Sequence, residues 1–229
     1  LQREVVDRLT PWERIQLARH QNRPVFSDYL SQVFDEPLEL HGDYNSGEDA
    51  TSVLDGLTIT GGNAGQGGGI RCGGASPTIR RCVVRNNISA DLGGGLYAGF
   101  RYLADTQTDE PSHGIVESTL FEYNEAGSGG AIATKSSLAT FRNLTVTDNA
   151  ASYGGGFYAG ANDVVGADAT IVNSLVTFNS AYTLGRGGGL YVYQSNPTVT
   201  YTDLHGNTDD NVGGERVDGD YIGIDGNVD

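Results

Sequence analysis

Gly67-Gly68-Gly69-Ile70 comes back along the chain as Gly93-Gly94-Gly95-Leu96, Gly129-Gly130-Ala131-Ile132, Gly154-Gly155-Gly156-Phe157 and Gly187-Gly188-Gly189-Leu190. A small-small-small-apolar pattern that recurs in this way is a repeat, and repeats are the signature of stacked architectures. Before each copy, and once more after the last, lies a second pattern: an apolar residue, two others, then two inward positions one residue apart, then Asn. The copies begin at Leu54, Ile79, Val116, Phe141, Ile171 and Val199. Their second inward positions are Ile59, Val84, Phe121, Val146, Val176 and Leu204, and the Asn are Asn87, Asn124, Asn149, Asn179 and Asn207, with Gly62 in that place in the first copy.

The period within each copy is 2, so alternate residues point to one face, as in strands. The segments are too short and too rich in turn residues for helices. Asn tolerates the left-handed conformation, so each Asn is expected to bend the chain. Identical Asn stacked copy over copy can also bond along the stack. Small residues at the Gly-rich corners let successive copies approach closely, and a second strand should follow each corner. Stacking then gives parallel strands with apolar columns inside. The expected fold is all-β, a parallel β-solenoid of six coils, with residues 54–229 as the repeat domain and its C-terminal end cut short.

Of the 34 Gly, nearly all lie at or after Gly56, so the composition changes sharply after the first fifty residues. The formal charge of -15 argues against a nucleic-acid partner, where a basic patch is expected. No apolar run is long enough to span a membrane, and no signal peptide is legible. The chain does not begin with Met, which suggests processing or a fragment.

Residues 1–43 read differently, as a helical segment, with 44–53 as a junction. Thr10-Pro11-Trp12-Glu13 fits a helix start, with Thr10 as N-cap, Pro11 at the first helical position and Glu13 completing a capping box. Arg23-Pro24 should end that helix, and Ser27 to Phe34 should form another. These helices are expected to cap the first coil with Trp12, Leu17, Phe26 and Phe34. The run Leu9-Thr10-Pro11-Trp12-Glu13-Arg14-Ile15-Gln16-Leu17-Ala18-Arg19-His20, with Arg23-Pro24, Asp28-Tyr29 and Glu39-Leu40-His41-Gly42-Asp43, resembles the N-terminal segment of the carboxyltransferase alpha subunit of acetyl-CoA carboxylase. In that family the segment precedes a crotonase-like catalytic domain. No such pattern follows here, so the resemblance implies a transplanted segment, natural or engineered, rather than carboxyltransferase activity.

From Asp55-Gly56-Leu57-Thr58-Ile59-Thr60-Gly61-Gly62-Asn63 onward, through the Gly-rich corners and Ser76-Pro77-Thr78-Ile79, the chain resembles the right-handed parallel β-helix repeats of the pectate-lyase-like superfamily. The likeness is strongest to the Gly-rich type of bacterial secreted and surface proteins. It implies a secreted or cell-surface location.

Tyr97, Tyr158 and Tyr191 occupy one place in three copies, between inward residues. They should face outward in a column, which suits stacking on sugar rings; the alternative is that they pack beneath the insertions. Arg101 and Tyr102 lie in the longest insertion, Gly99 to His113, as a rim for the same surface or as plain solvated loop. Asp55, Arg80, Glu117 and Arg142 make a column of alternating charge, read as cross-coil pairing. Asp218, Asp220, Asp225, Asn227 and Asp229 show the alternation of calcium loops without the closing Glu, so they are a Ca²⁺ site or a solvated acidic turn. No other cofactor is expected. Cys72 and Cys82 read as small core residues, or as a disulfide if the coils bring them within bonding distance.

With no legible nucleophile or acid-base pair, the first expectation is a non-catalytic secreted or surface module for structure, adhesion or glycan contact. Its expected partners are polysaccharides, and its exposed end strands would drive end-to-end self-association. A fragment of a polysaccharide lyase or glycoside hydrolase is the alternative. A carboxyltransferase-related protein is the remote one.

Overall fold

The structure is a computed structural model that describes residues 52–105, 108–161, 168–184, 186–208 and 210–216. The chain divides into two units, Leu1–Asn45 and Ser46–Asp229, and the description concerns the second. The helices expected over residues 1–43 lie outside the described residues.

The described residues are all-β. A first circuit runs through β1 (Val53–Asp55), β2 (Thr58–Thr60), β3 (Asn63–Gln66) and β4 (Ile70–Gly73). The second comprises β5 (Thr78–Arg80), β6 (Val83–Arg85), β7 (Ile88–Leu92) and β8 (Leu96–Leu103), with β9 (Thr108–Pro111) folded back on β8. The third has β10 (Ile115–Glu117), β11 (Leu120–Glu122), β12 (Glu125–Ser128) and β13 (Ile132–Lys135). The fourth has β14 (Thr140–Arg142), β15 (Thr145–Thr147), β16 (Ala150–Tyr153) and β17 (Phe157–Gly160). The fifth has β18 (Thr170–Val172), β19 (Leu175–Thr177), β20 (Ser180–Ala181) and β21 (Leu190–Ser195). The sixth has β22 (Thr198–Thr200), β23 (Asp203–His205) and β24 (Val212–Arg216).

Each circuit adds one strand to each of four sheets, except that the sixth adds none to the third. The sheets are parallel throughout, apart from the antiparallel pair β8 and β9. The columns expected from the repeat lie in register. Leu54, Ile79, Val116, Phe141, Ile171 and Val199 align across the first sheet. Ile59, Val84, Phe121, Val146, Val176 and Leu204 align across the second. Both meet the inward residues of the fourth sheet, Leu96, Ile132, Phe157 and Leu190, in one core. Within it Phe141 and Phe157 meet edge to face at 5.7 Å, a favoured aromatic geometry.

Each Gly-rich corner has a physical reason. Its first glycine is left-handed every time, with φ of 62, 67, 67, 62 and 54° at Gly67, Gly93, Gly129, Gly154 and Gly187, a conformation that favours glycine, and here a Cβ would run into the carbonyl oxygen three residues on. Its third residue faces the next circuit. A Cβ on Gly95 would lie 2.7 Å from the Ala131 carbonyl oxygen and 2.9 Å from a ring carbon of Phe121.

Two features differ from the sequence reading. The third sheet, β3, β7, β12, β16 and β20, was not expected, because segments such as Asn63-Ala64-Gly65-Gln66 lack the β-branched and aromatic residues that announce a strand. And the left-handed residue at this bend is the one before each ladder Asn: Asn86, Tyr123, Asp148 and Phe178 have φ of 53 to 56°. The ladder asparagines themselves turn inward. The amide nitrogen (Nδ2) of Asn87 donates to Oδ1 of Asn124 at 3.0 Å, Asn124 to Asn149 at 3.0 Å, Asn149 to Asn179 at 2.9 Å and Asn179 to Asn207 at 3.0 Å. Each Nδ2 also donates to a backbone carbonyl of the preceding circuit, and each Oδ1 also accepts the preceding Asn backbone N–H. The buried amides are thereby satisfied on both sides, as burial requires.

Candidate functional site

Among the described residues, the outward face of the fourth sheet gathers aromatic and cationic side chains. Strand alternation aims Leu96 and Ala98 inward and Tyr97 outward, and register then stacks Arg71, Tyr97, Ala133, Tyr158 and Tyr191 in one row. The row exists, but it is not the exposed row expected. Tyr97 and Tyr191 are each only 4% exposed, and Tyr158 packs on the cluster of Leu92, Tyr97 and Ala133. The cause lies two residues on. The ring of Tyr97 lies over Gly99 and that of Tyr158 over Gly160, where a Cβ would sit 2.6 Å from the Tyr158 ring. Ala133, between them, leaves room for both.

Tyr191 has Tyr193 rather than glycine at that place, and its ring lies against Tyr153 instead, edge to face at 5.3 Å. It also stacks on Tyr158 at 5.9 Å. Arg186 lies over this group, its guanidinium carbon 5.0 Å from the Tyr153 ring centre and 5.5 Å from that of Tyr191. It donates from Nη1 to the Tyr191 hydroxyl oxygen at 2.6 Å. Cation–π contacts at this range contribute roughly 0.5–2 kcal/mol. Burial, with Tyr191, Tyr193, Asp91 and Tyr153 nearby, pushes the Tyr158 hydroxyl up to about 12. Burial also raises Tyr97. These phenols hold their protons at neutral pH, and ring packing with the Arg186 contacts makes the group a packed clamp.

The other expected residues are dispersed. Arg101 donates from Nη2 to Glu110 at 2.7 Å across β8 and β9. The insertion is thus a hairpin, and Tyr102 on it is 58% exposed. The charge column resolves into separate pairs. Arg80 and Arg81 both bond Asp55, and Arg142 bonds Glu117 at 2.8 Å. Cys72 and Cys82 are free and buried; burial pushes the Cys72 thiol up to about 12. Asp218, Asp220, Asp225, Asn227 and Asp229 lie outside the described residues. Among the described residues no group of three His, Cys, Asp or Glu could hold a metal ion.

Two arrangements escaped the sequence reading. One is Arg186, whose place over Tyr153 and Tyr191 no sequence pattern marks. The other is a pair on the outer face of β23, where His205 Nδ1 lies 2.8 Å from Asp203 Oδ1 and the imidazole meets the Phe178 ring edge to face at 6.0 Å. The Asp-x-His spacing on one strand face was its only signal.

Comparison with known proteins points elsewhere in the chain. A family model described as acetyl co-enzyme A carboxylase carboxyltransferase-like matches residues 1–64. The acetyl-coenzyme A carboxylase carboxyl transferase subunit alpha of Geobacillus sp. (strain WCH70) is 43% identical over 65 residues, 26% of this chain and 20% of that protein. That of Rhodopirellula baltica is 51% identical over 47 residues, covering 20% of this chain and 15% of its own. That of Staphylococcus carnosus is 56% identical over 45 residues, covering 20% and 14%. The chain thus spans at most 20% of the length of these curated relatives. No solved structure matches. These matches correct the first functional expectation and its alternative. The proteins this chain is similar to are a carboxylase subunit, not secreted pectin-lyase-like or carbohydrate-binding modules. Polysaccharide partners and end-to-end self-association give way with them, and the carboxyltransferase reading, placed last from sequence, is the one the similarity favours.

Proposed function

We propose that this is a carboxyltransferase-related protein. Its alpha-subunit-type N-terminal segment joins it to the carboxyltransferase half of acetyl-CoA carboxylase, with the beta subunit as its partner. The observation that carries this reading is the family match over residues 1–64. Those relatives are, by name, subunits of a larger enzyme. The specific part of the segment is the run from Leu9 to His20, whose Trp12, Arg14 and Arg19 are residue types that dominate interface energetics.

The second unit is then a right-handed parallel β-helix of six coils carried with that segment. In-register parallel strands, four sheets visited in turn and a continuous amide ladder support this architecture. Parallel crossovers are overwhelmingly right-handed, which supports the hand.

The test is co-purification of the full chain with a carboxyltransferase beta subunit, followed by a carboxyl-transfer assay of any complex. We expect the two to comigrate, and Trp12→Ala combined with Arg14→Glu to weaken binding about tenfold or more. If the authentic alpha subunit binds in the same experiment and this chain does not, the reading is wrong.

A further inference from the structure

We propose that Tyr97, Lys135 and Tyr158 form a binding site for the carboxylate of a small organic acid on the outward face of the fourth sheet. Lys135 closes β13, next to the buried Thr134 and on the same face as Ala133. Register sets it beside Gly160 of the following circuit. On its other side, the pairing of Thr134 with Ala98 brings it alongside Gly99. Neither neighbour has a side chain, and each lies under a phenol. A Cβ on Gly99 would run into the Tyr97 hydroxyl oxygen, and one on Gly160 would lie 2.9 Å from that of Tyr158. Adjacent strands are ~4.8 Å apart. The half-buried Lys135 therefore rises between two phenol ends, one ammonium with a hydroxyl on either side.

Three donor groups gathered in this way suit an oxyanion. An ammonium offers N–H donors and no acceptor, and a phenol that keeps its proton donates as well. Both phenols keep theirs, since burial raises them. The charge nearby sets the kind of anion. Arg71 lies over the Tyr97 ring, 6.0 Å from its centre. Asp91, on β7, acts on both phenols through its negative charge. Arg71 and Asp91 offset one another, and the Lys135 charge remains, matched by a single negative charge rather than two. A carboxylate carries that charge, and its two oxygens can accept from the ammonium and a phenol together. The flanking rings of Tyr97 and Tyr158 give the carbon end of an organic acid apolar surface to lie against.

Lys135 is the only lysine of the chain, so the full chain made with isotope-labelled lysine gives one ε-methylene NMR signal, at the site itself. Sodium acetate replacing sodium chloride at constant ionic strength should shift that signal saturably. Tyr97→Phe and Tyr158→Phe keep the rings and remove the hydroxyls. Each should raise the half-saturating acetate concentration about tenfold, the effect of losing one hydrogen bond to a charged group. Tyr102→Phe, which removes an exposed phenol on β8, should leave it unchanged. A shift that grows without saturating overturns the proposal. So does wild-type binding in Tyr97→Phe and Tyr158→Phe, or a loss in Tyr102→Phe equal to theirs. Tighter binding of the phosphate dianion than of acetate overturns the assignment to a carboxylate.

Discussion

The first and fourth circuits follow one sequence pattern and are held very differently. In the fourth, Phe141 and Val146 are 0% exposed, Asn149 and Phe157 1%. In the first, the matching Leu54, Ile59 and Ile70 are only partly buried against the core. The ladder differs too. The Asn149 side-chain amide bonds both neighbouring circuits, whereas Gly62, in the same place, contributes only its backbone N–H to Asn87 Oδ1 at 2.9 Å. Stability in a stack of repeats is close to a sum of nearest-neighbour terms. The fourth circuit pairs with a described circuit on each side and collects two such terms, so the repeat pattern alone does not set how firmly a circuit is held.

The sharpest break in this comparison comes from paired truncations. Phe141→Ala should cost about 3–5 kcal/mol, since it empties a fully buried site. Ile59→Ala should cost about 1–2 kcal/mol, because part of that side chain already meets solvent. Urea unfolding of the two variants measures both. Equal losses would mean that the first circuit is as tightly held as the fourth.

That comparison also explains which parts of the molecule could be read in advance. The columns through Phe141 and Val146 were legible because alternation of apolar and polar residues is a local signal. The ladder was legible because Asn recurs at one place. The third sheet was not, because strands such as β3 and β12 are held by backbone pairing and carry small or polar residues. The burial of Tyr97 and Tyr158 depended on glycine two residues on, which the sequence contained, and on Ala133 a circuit away, whose role only register reveals. The Arg186 clamp joins Tyr153 and Tyr191 from neighbouring circuits, and no spacing rule predicts it. Residues 9–43 are legible as a likeness because the run is long and specific; the repeat, which fills most of the chain, speaks for architecture and not for function.

A smaller effect distinguishes the first circuit by pH. The Arg81 hydrogen bond holds the Asp55 carboxyl below its ordinary value; burial opposes this, and Arg80 lowers it further. A depressed folded-state value means that the group adds stability above the unfolded value of 3.8, and that this contribution is lost as pH falls through the lower folded value. Melting midpoints of wild type and Asp55→Asn, followed from about pH 5 down to about pH 2, should therefore converge at the acid end, with wild type higher at the start. Parallel curves would show that the pair linking β1 to β5 adds nothing measurable.

The smallest effect concerns backbone strain in the fifth circuit. The bend before each ladder Asn is left-handed, and it is filled by Gly61, Asn86, Tyr123, Asp148, Phe178 and Gly206. Gly, Asn and Asp suit that conformation; an aromatic residue does not. Phe178 nevertheless holds φ at 56° with its side chain 59% exposed. Its ring rests near Gly206, where a Cβ would lie 3.0 Å from it, and against His205. Phe178→Asn relieves backbone strain of about 1 kcal/mol and gives up an exposed ring contact of about 0.5 kcal/mol. The net should be a gain of about 0.5 kcal/mol, read as a rise in the urea midpoint with an unchanged slope. A loss instead would mean that the ring over Gly206 and His205 outweighs the strain. The fifth and sixth circuits would then be tied together by their outer faces as well as by the core, and the contrast between inner and outer circuits would weaken at this end of the stack.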